Sequence, residues 1–138
     1  MILLDTGPLV ALFDPKDDAH AEAGQILRSV HEPLVTTAPV LTEAFHLLDP
    51  RSRGAAALRE FLQRDGAVVW FFEQTTLKRA FELMEAYSDH PMDFADASLV
   101  VAAEQLRTTR VFTLDRNDFA TYRARIGRSQ RGFKLVAR

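Results

Sequence analysis

Cysteine is absent, so neither a disulfide nor a thiolate metal site is open to this chain. Lysine is scarce, occurring only at Lys16, Lys78 and Lys134. No glycine pattern of the Walker or dinucleotide type occurs, which removes the common nucleotide-binding loops. No apolar run is long enough to cross a bilayer. Only Ile2, Leu3 and Leu4 separate Met1 from Asp5, too little for the core of a secretory leader. These absences lead us to expect a cytoplasmic protein with no membrane association.

What is present is an ordinary globular composition, 47% hydrophobic and 26% charged. A length of 138 residues suits one domain, 1–138, around a single core. The formal net charge of −2 conceals an asymmetry. Residues 1–106 hold 8 Lys/Arg against 17 Asp/Glu, whereas residues 107–138 hold 9 against 2. A basic segment on an acidic body suggests either a local anionic partner or a solvated tail.

The apolar run Ile2–Leu4 stops abruptly at Asp5. Thr6, Gly7 and Pro8 read as a tight turn, with Pro8 opening a helix to Phe13. A strand this apolar needs cover on both faces, as in a parallel α/β sheet. Further helices are expected from Asp17 or Asp18 to about Val30, from Pro39 to Leu48, from Ser52 to Arg64, from Thr75 or Thr76 to Tyr87, and from about Asp93 to Leu106. Strands are expected at Leu34–Thr37, Ala67–Phe72 and Arg110–Leu114, with an edge strand at Phe133–Val136. Phe119–Ile126 reads as a short helix and Gly127–Gly132 as a loop. Alternating strands and helices predict an α/β/α sandwich: a mostly parallel central sheet flanked by helices.

Four acids stand where a parallel sheet gathers its ligands, at the carboxyl ends of strands and the starts of the helices that follow. Asp5 ends the first strand, Glu43 lies one turn into a helix, Asp96 is in the first turn of another, and Asp115 follows a strand. If they converge, their mutual repulsion of about 4 kcal/mol per close pair needs protons or a cation to offset it. All-oxygen ligation suits Mg²⁺ or Mn²⁺, and such ions support phosphodiester hydrolysis. Each acid also has a plain structural reading. Asp5 suits an Asx-type turn. Glu43 suits an exposed helix face. Asp93 suits an N-cap, with Asp96 its reciprocal partner. Asp115 and Asp118 suit a turn and a cap, and for Asp118 the cap is the preferred reading.

Other chemistry is sparse. His20, His31, His46 and His90 have no metal-ligand spacing and read as surface or loop residues. Trp70–Phe72 reads as a core strand, because no Lys or Arg interleaves its aromatic residues as a base-stacking surface would require.

These residues together resemble the PIN-domain family, and within it the VapC-type toxins of prokaryotic toxin–antitoxin pairs. The carrying stretches are Leu4-Asp5-Thr6-Gly7-Pro8-Leu9, Leu41-Thr42-Glu43-Ala44, Met92-Asp93-Phe94-Ala95-Asp96-Ala97-Ser98-Leu99, and Phe112-Thr113-Leu114-Asp115-Arg116-Asn117-Asp118-Phe119. The resemblance implies a Mg²⁺- or Mn²⁺-dependent endoribonuclease. Asp5, Glu43 and Asp96 would be its core ligands and Asp115 would complete the site. Thr6 and Thr113 would support the site and Asp93 would be an accessory acid. It also implies a homodimer and inhibition by a cognate antitoxin. Arg116, Arg123, Arg125 and Arg128 are candidates for holding the RNA backbone. Two other readings stay open. One is a PIN-like scaffold that binds RNA or protein without cleaving. The other is a receiver-type phosphoacceptor domain, which needs a lysine after its last strand and finds only Lys134.

Overall fold

The computed structural model describes residues 1–137. Its centre is a five-stranded sheet in which every neighbouring pair is parallel. Strand β1 (Ile2–Leu4) lies in the middle, between β2 (Leu34–Thr37) and β4 (Arg110–Phe112). Strand β3 (Val68–Trp70) borders β2, and β7 (Lys134–Leu135) borders β4. Ile2, Leu3 and Leu4 are all fully buried, which is why the run carries no polar residue on either face.

Helix α1 (Thr6–Phe13) packs against α2 (His20–Ser29), α3 (Ala38–Leu48) and α4 (Arg53–Gln63). Helix α6 (Phe94–Leu106) packs against α3 and α5 (Gln74–Ala86). Helix α1 begins at Thr6 with Asp5 as its N-cap, so Pro8 is the third helical residue rather than the first. Its missing N–H is still one of those a helix start leaves without a partner. A Cβ at Gly54 would stand 2.4 Å from the Phe13 carbonyl oxygen, so glycine there is what lets α4 approach the end of α1.

Helix α6 is the buried spine. Ala97, Leu99, Val100, Val101, Ala102 and Ala103 are completely inaccessible. Its one fully buried polar side chain, Ser98, is 2.6 Å from the Thr37 hydroxyl and donates to the Ala95 carbonyl. The helix is thus locked to the end of β2 without an orphaned polar group.

Two stretches differ from the sequence-based expectation. Phe119–Ile126 is not one helix. A short α7 (Arg116–Thr121) ends there, and β5 (Arg123–Ile126) pairs antiparallel with β6 (Ser129–Gly132), where a loop was expected. Gly127, at φ 63°, makes the tight turn between them. Ala124 and Ile126 are buried while Arg123 and Arg125 are exposed, the alternation of a half-covered strand. The second difference is at β3. The strand ends at Trp70, and Phe71 is 67% exposed rather than part of the core, because β3 is an edge strand.

Candidate active site

The strand order reverses between β1 and β4, since the chain runs outward from β1 through β2 to β3 and then returns to β4 on the other side. The crevice beyond the carboxyl ends of strands flanking such a reversal is where open α/β sheets bind ligands. Here it is a pocket of about 460 Å³ lined by Asp5, Glu43, Asp93, Asp96, Asp115 and Asp118, with Thr6, Gly7, Pro91 and Leu114. Among the described residues no basic side chain contributes to its wall.

Asp5 sits at the floor and is 6% exposed. Its Oδ1 accepts from the Thr6 backbone N–H at 2.8 Å, and its Oδ2 accepts from the Thr113 hydroxyl at 2.7 Å. Asp5 therefore does cap its helix, and it also faces the pocket. The Thr6 hydroxyl donates to Glu43 Oε1 at 2.8 Å, tying α1 to α3 across the site. Asp96 is in the first turn of α6, where its Oδ2 accepts from the Tyr122 hydroxyl at 2.8 Å. Asp93 is the N-cap of α6, its Oδ1 accepting from the Asp96 N–H at 2.7 Å, and it also lines the pocket. At the rim, Asp118 Oδ1 is 2.5 Å from His90 Nε2.

The electrostatics follow from burial and crowding. Burial pushes the Asp5 carboxyl up to about 6, with Glu43 and Asp93 adding to the rise and the Thr113 and Thr6 hydrogen bonds opposing it. Burial pushes Asp96 up to about 8, opposed by the bond from Tyr122 and reinforced by Asp93, Asp5 and Asp118. Asp115 is raised, first by its carboxyl contact with Asp118, while Asp118 is lowered by that contact and by His90. Burial first, and then the bond to Asp96, holds the Tyr122 phenol above its ordinary range, so it stays a donor.

The donor set fits a hard divalent cation. It is all oxygen and anionic, and among the described residues no Lys or Arg lines the pocket. Among the described residues no three of these acids already close on a single point, so the carboxylates ring the pocket. Mg²⁺ keeps several of its waters, and a ring reached partly through water suits it.

The four acids singled out in the sequence, Asp5, Glu43, Asp96 and Asp115, therefore share one pocket, with Thr6, Thr113 and Asp93 beside them. The arginines do not line it. Arg116 is 3.9 Å from Glu22, and Arg125 and Arg128 are exposed on the β5–β6 hairpin. Arg123 Nη1 donates to the carbonyls of Ala120, Thr121 and Tyr122 and so closes the end of α7. Lys134 pairs in register with Arg110, at the opposite end of β4 from the pocket, so the receiver-type reading loses its lysine. Sequence reasoning missed Tyr122 and the partnership of His90 with Asp118. No local pattern announces either, because both depend on how α7 turns into β5.

A PIN-domain family model matches residues 2–124. The chain is 29% identical over 125 residues to ribonuclease VapC26 of Mycobacterium tuberculosis, an alignment covering 88% of this chain and 92% of that protein. The crystal structure of Mycobacterium tuberculosis VapC20, described as a sarcin–ricin-loop-cleaving toxin, superimposes with a TM-score of 0.79 at 20% identity. That superposition covers 95% of this chain and 100% of the other, and it speaks for the fold.

Proposed function

The chain belongs to the PIN-domain family, and from that membership we propose that it is a Mg²⁺- or Mn²⁺-dependent endoribonuclease, the toxin of a type II toxin–antitoxin pair, acting in the cytoplasm as one nuclease domain. The observation that carries the reading is the pocket itself. Six carboxylates from four segments line one crevice, with no basic side chain among them in the described residues. Two of them are pushed well above the ordinary carboxylate range, a strain that a divalent cation relieves.

Asp5, Glu43, Asp96 and Asp115 are the residues we assign to hold the cation. When bound, it supplies the positive charge and Lewis acidity that phosphodiester hydrolysis needs. The chain's own contribution is to hold oxygens still. Thr113 orients Asp5, Thr6 orients Glu43, and Asp93 fixes the first turn of α6 beneath Asp96. Asp118, paired with His90, is suited to keep Asp115 from swinging away. Arg116, Arg125 and Arg128 are exposed near the C-terminal segment and are suited to phosphate contacts. Arg123 leaves that set because its guanidinium is engaged with backbone carbonyls.

Two partners follow from the same reading. A second copy of the chain suits the aromatic face beside the site. There a cleft of about 690 Å³ is lined by Phe71, Phe72, Phe94 and Pro39, and Phe81 stands 54% exposed. A cognate antitoxin suits the acidic pocket, which offers counter-charges to one inserted basic side chain. The experiment for the reading as a whole is cleavage of RNA under Mg²⁺ or Mn²⁺ by the wild type beside Asp5→Asn.

A further inference from the structure

Each of three acids in the pocket receives one side-chain hydroxyl. Asp5 is held by Thr113, Glu43 by Thr6, and Asp96 by Tyr122. The third of these comes from the far end of α7, where Tyr122 is the C-cap. We infer that Tyr122 is a positioning residue for Asp96: by binding Oδ2 it stops the carboxylate turning and so holds the side chain ready for a divalent cation in the pocket that Asp96 lines.

The packing gives the hydroxyl one position. Tyr122 is completely buried. Its ring meets Tyr87 and Phe119 edge to face, each with centroids 5.2 Å away, and His90 at 6.0 Å. Its N–H closes α7 on the Asp118 carbonyl at 3.0 Å, and the next residue begins β5. Strand β5 is in turn packed on α6, with Ala124 and Ile126 buried. The phenol oxygen lies in the ring plane, so a ring fixed on these sides fixes the donor as well. A threonine hydroxyl swings about χ1, whereas this one moves only if the whole ring moves. With Oδ2 bonded to such a donor, rotation of the Asp96 carboxylate breaks a 2.8 Å hydrogen bond in a half-buried setting, where its loss costs free energy. The C-terminal hairpin thereby acquires a function: it braces the ring that braces the acid.

The inference rests on the metal-centre reading above, and its test separates the two. Metal-free protein is titrated with Mn²⁺ in the absence of RNA, and free Mn²⁺ is followed by electron paramagnetic resonance. Tyr122→Phe keeps the ring and deletes the donor. Tyr87→Phe deletes a hydroxyl from the same aromatic cluster, one that accepts the Arg123 N–H and touches no acid, and is the comparison. We expect the Mn²⁺ dissociation constant to rise by about tenfold in Tyr122→Phe, the scale typical of an outer-shell partner, and to stay at the wild-type value in Tyr87→Phe. Asp96→Asn should weaken binding further. A second reading is the rise in melting temperature on adding Mn²⁺, each protein compared with its own metal-free form, which stays informative in a destabilised variant. Wild-type affinity in Tyr122→Phe, with Asp96→Asn still impaired, overturns the positioning role and leaves the metal centre intact. Equal losses in Tyr122→Phe and Tyr87→Phe also overturn it, by assigning the effect to packing. Mn²⁺ binding indifferent to Asp96→Asn overturns both.

Discussion

Thr113 donates its hydroxyl to Asp5 Oδ2 at 2.7 Å, although 108 positions separate the two residues. The same hydroxyl oxygen accepts the Asp115 N–H at 2.9 Å. One side chain beyond β4 therefore fixes an acid beyond β1 and the backbone of a second acid. Thr113→Val keeps the shape and removes both bonds. We expect a stability loss of about 1–2 kcal/mol, because a buried carboxylate loses a donor. The Mg²⁺ concentration giving half-maximal RNA cleavage should rise by about tenfold. Thr113→Ser should restore both. Metal-dependence curves for the three proteins check this, and a Val variant indistinguishable from wild type would remove Thr113 from the site.

The raised carboxyls carry a prediction about pH. Burial holds the Asp5 carboxyl at about 6 and Asp96 at about 8 in the folded protein, against an ordinary aspartate value of 3.8. The folded state thus holds more protons than the unfolded state between those values, so metal-free stability falls as pH rises from about 4 through about 8. The Asp5 contribution alone is at most about 3 kcal/mol. Thermal melts in chelator across that window should move downward with pH, and saturating Mg²⁺ or Mn²⁺ should flatten the curve. A metal-free melting temperature that rises with pH across the window would contradict the account.

The aromatic face bears on assembly. Phe72 stacks on Phe94 at 5.3 Å, Phe81 lies 6.2 Å from Phe94, and Phe71 is left 67% exposed. Phe81→Glu puts a charge into that face without touching an acid of the pocket. In sedimentation the wild type is expected as a dimer and Phe81→Glu as a monomer. A wild-type monomer, or a variant that still dimerises, would remove this face from the assembly.

Asp5, Asp96 and Asp115 were legible in the sequence because each stands at a boundary, whereas Glu43, inside α3, was legible only through the motif around it. An apolar run that ends in Asp5, or a strand that gives way to Thr113-Leu114-Asp115, fixes a residue at the sheet's rim before any packing is known. The C-terminal segment was not legible in this way. Phe119, Tyr122 and Ile126 have helical spacing, while Tyr122, Ala124 and Ile126 have strand spacing, and only contact with α6 decides between them. Tyr122 could not be linked to Asp96 until that choice was made. Phe71 was misread for the opposite reason. It continues an apolar run, but edge position, which no local pattern encodes, leaves it in solvent.

The central claim is that carboxylates of one pocket hold the cation that cleaves RNA. Total RNA is incubated with chelator-stripped protein, with and without Mg²⁺ or Mn²⁺, and cleavage sites are mapped for wild type, Asp5→Asn and Asp96→Asn. We expect discrete wild-type cuts that appear only with metal and vanish in both variants. Thermal melts of both variants in chelator check that each remains folded. Cuts that persist in either folded variant, or RNA that is bound but never cut under either metal, would contradict the account.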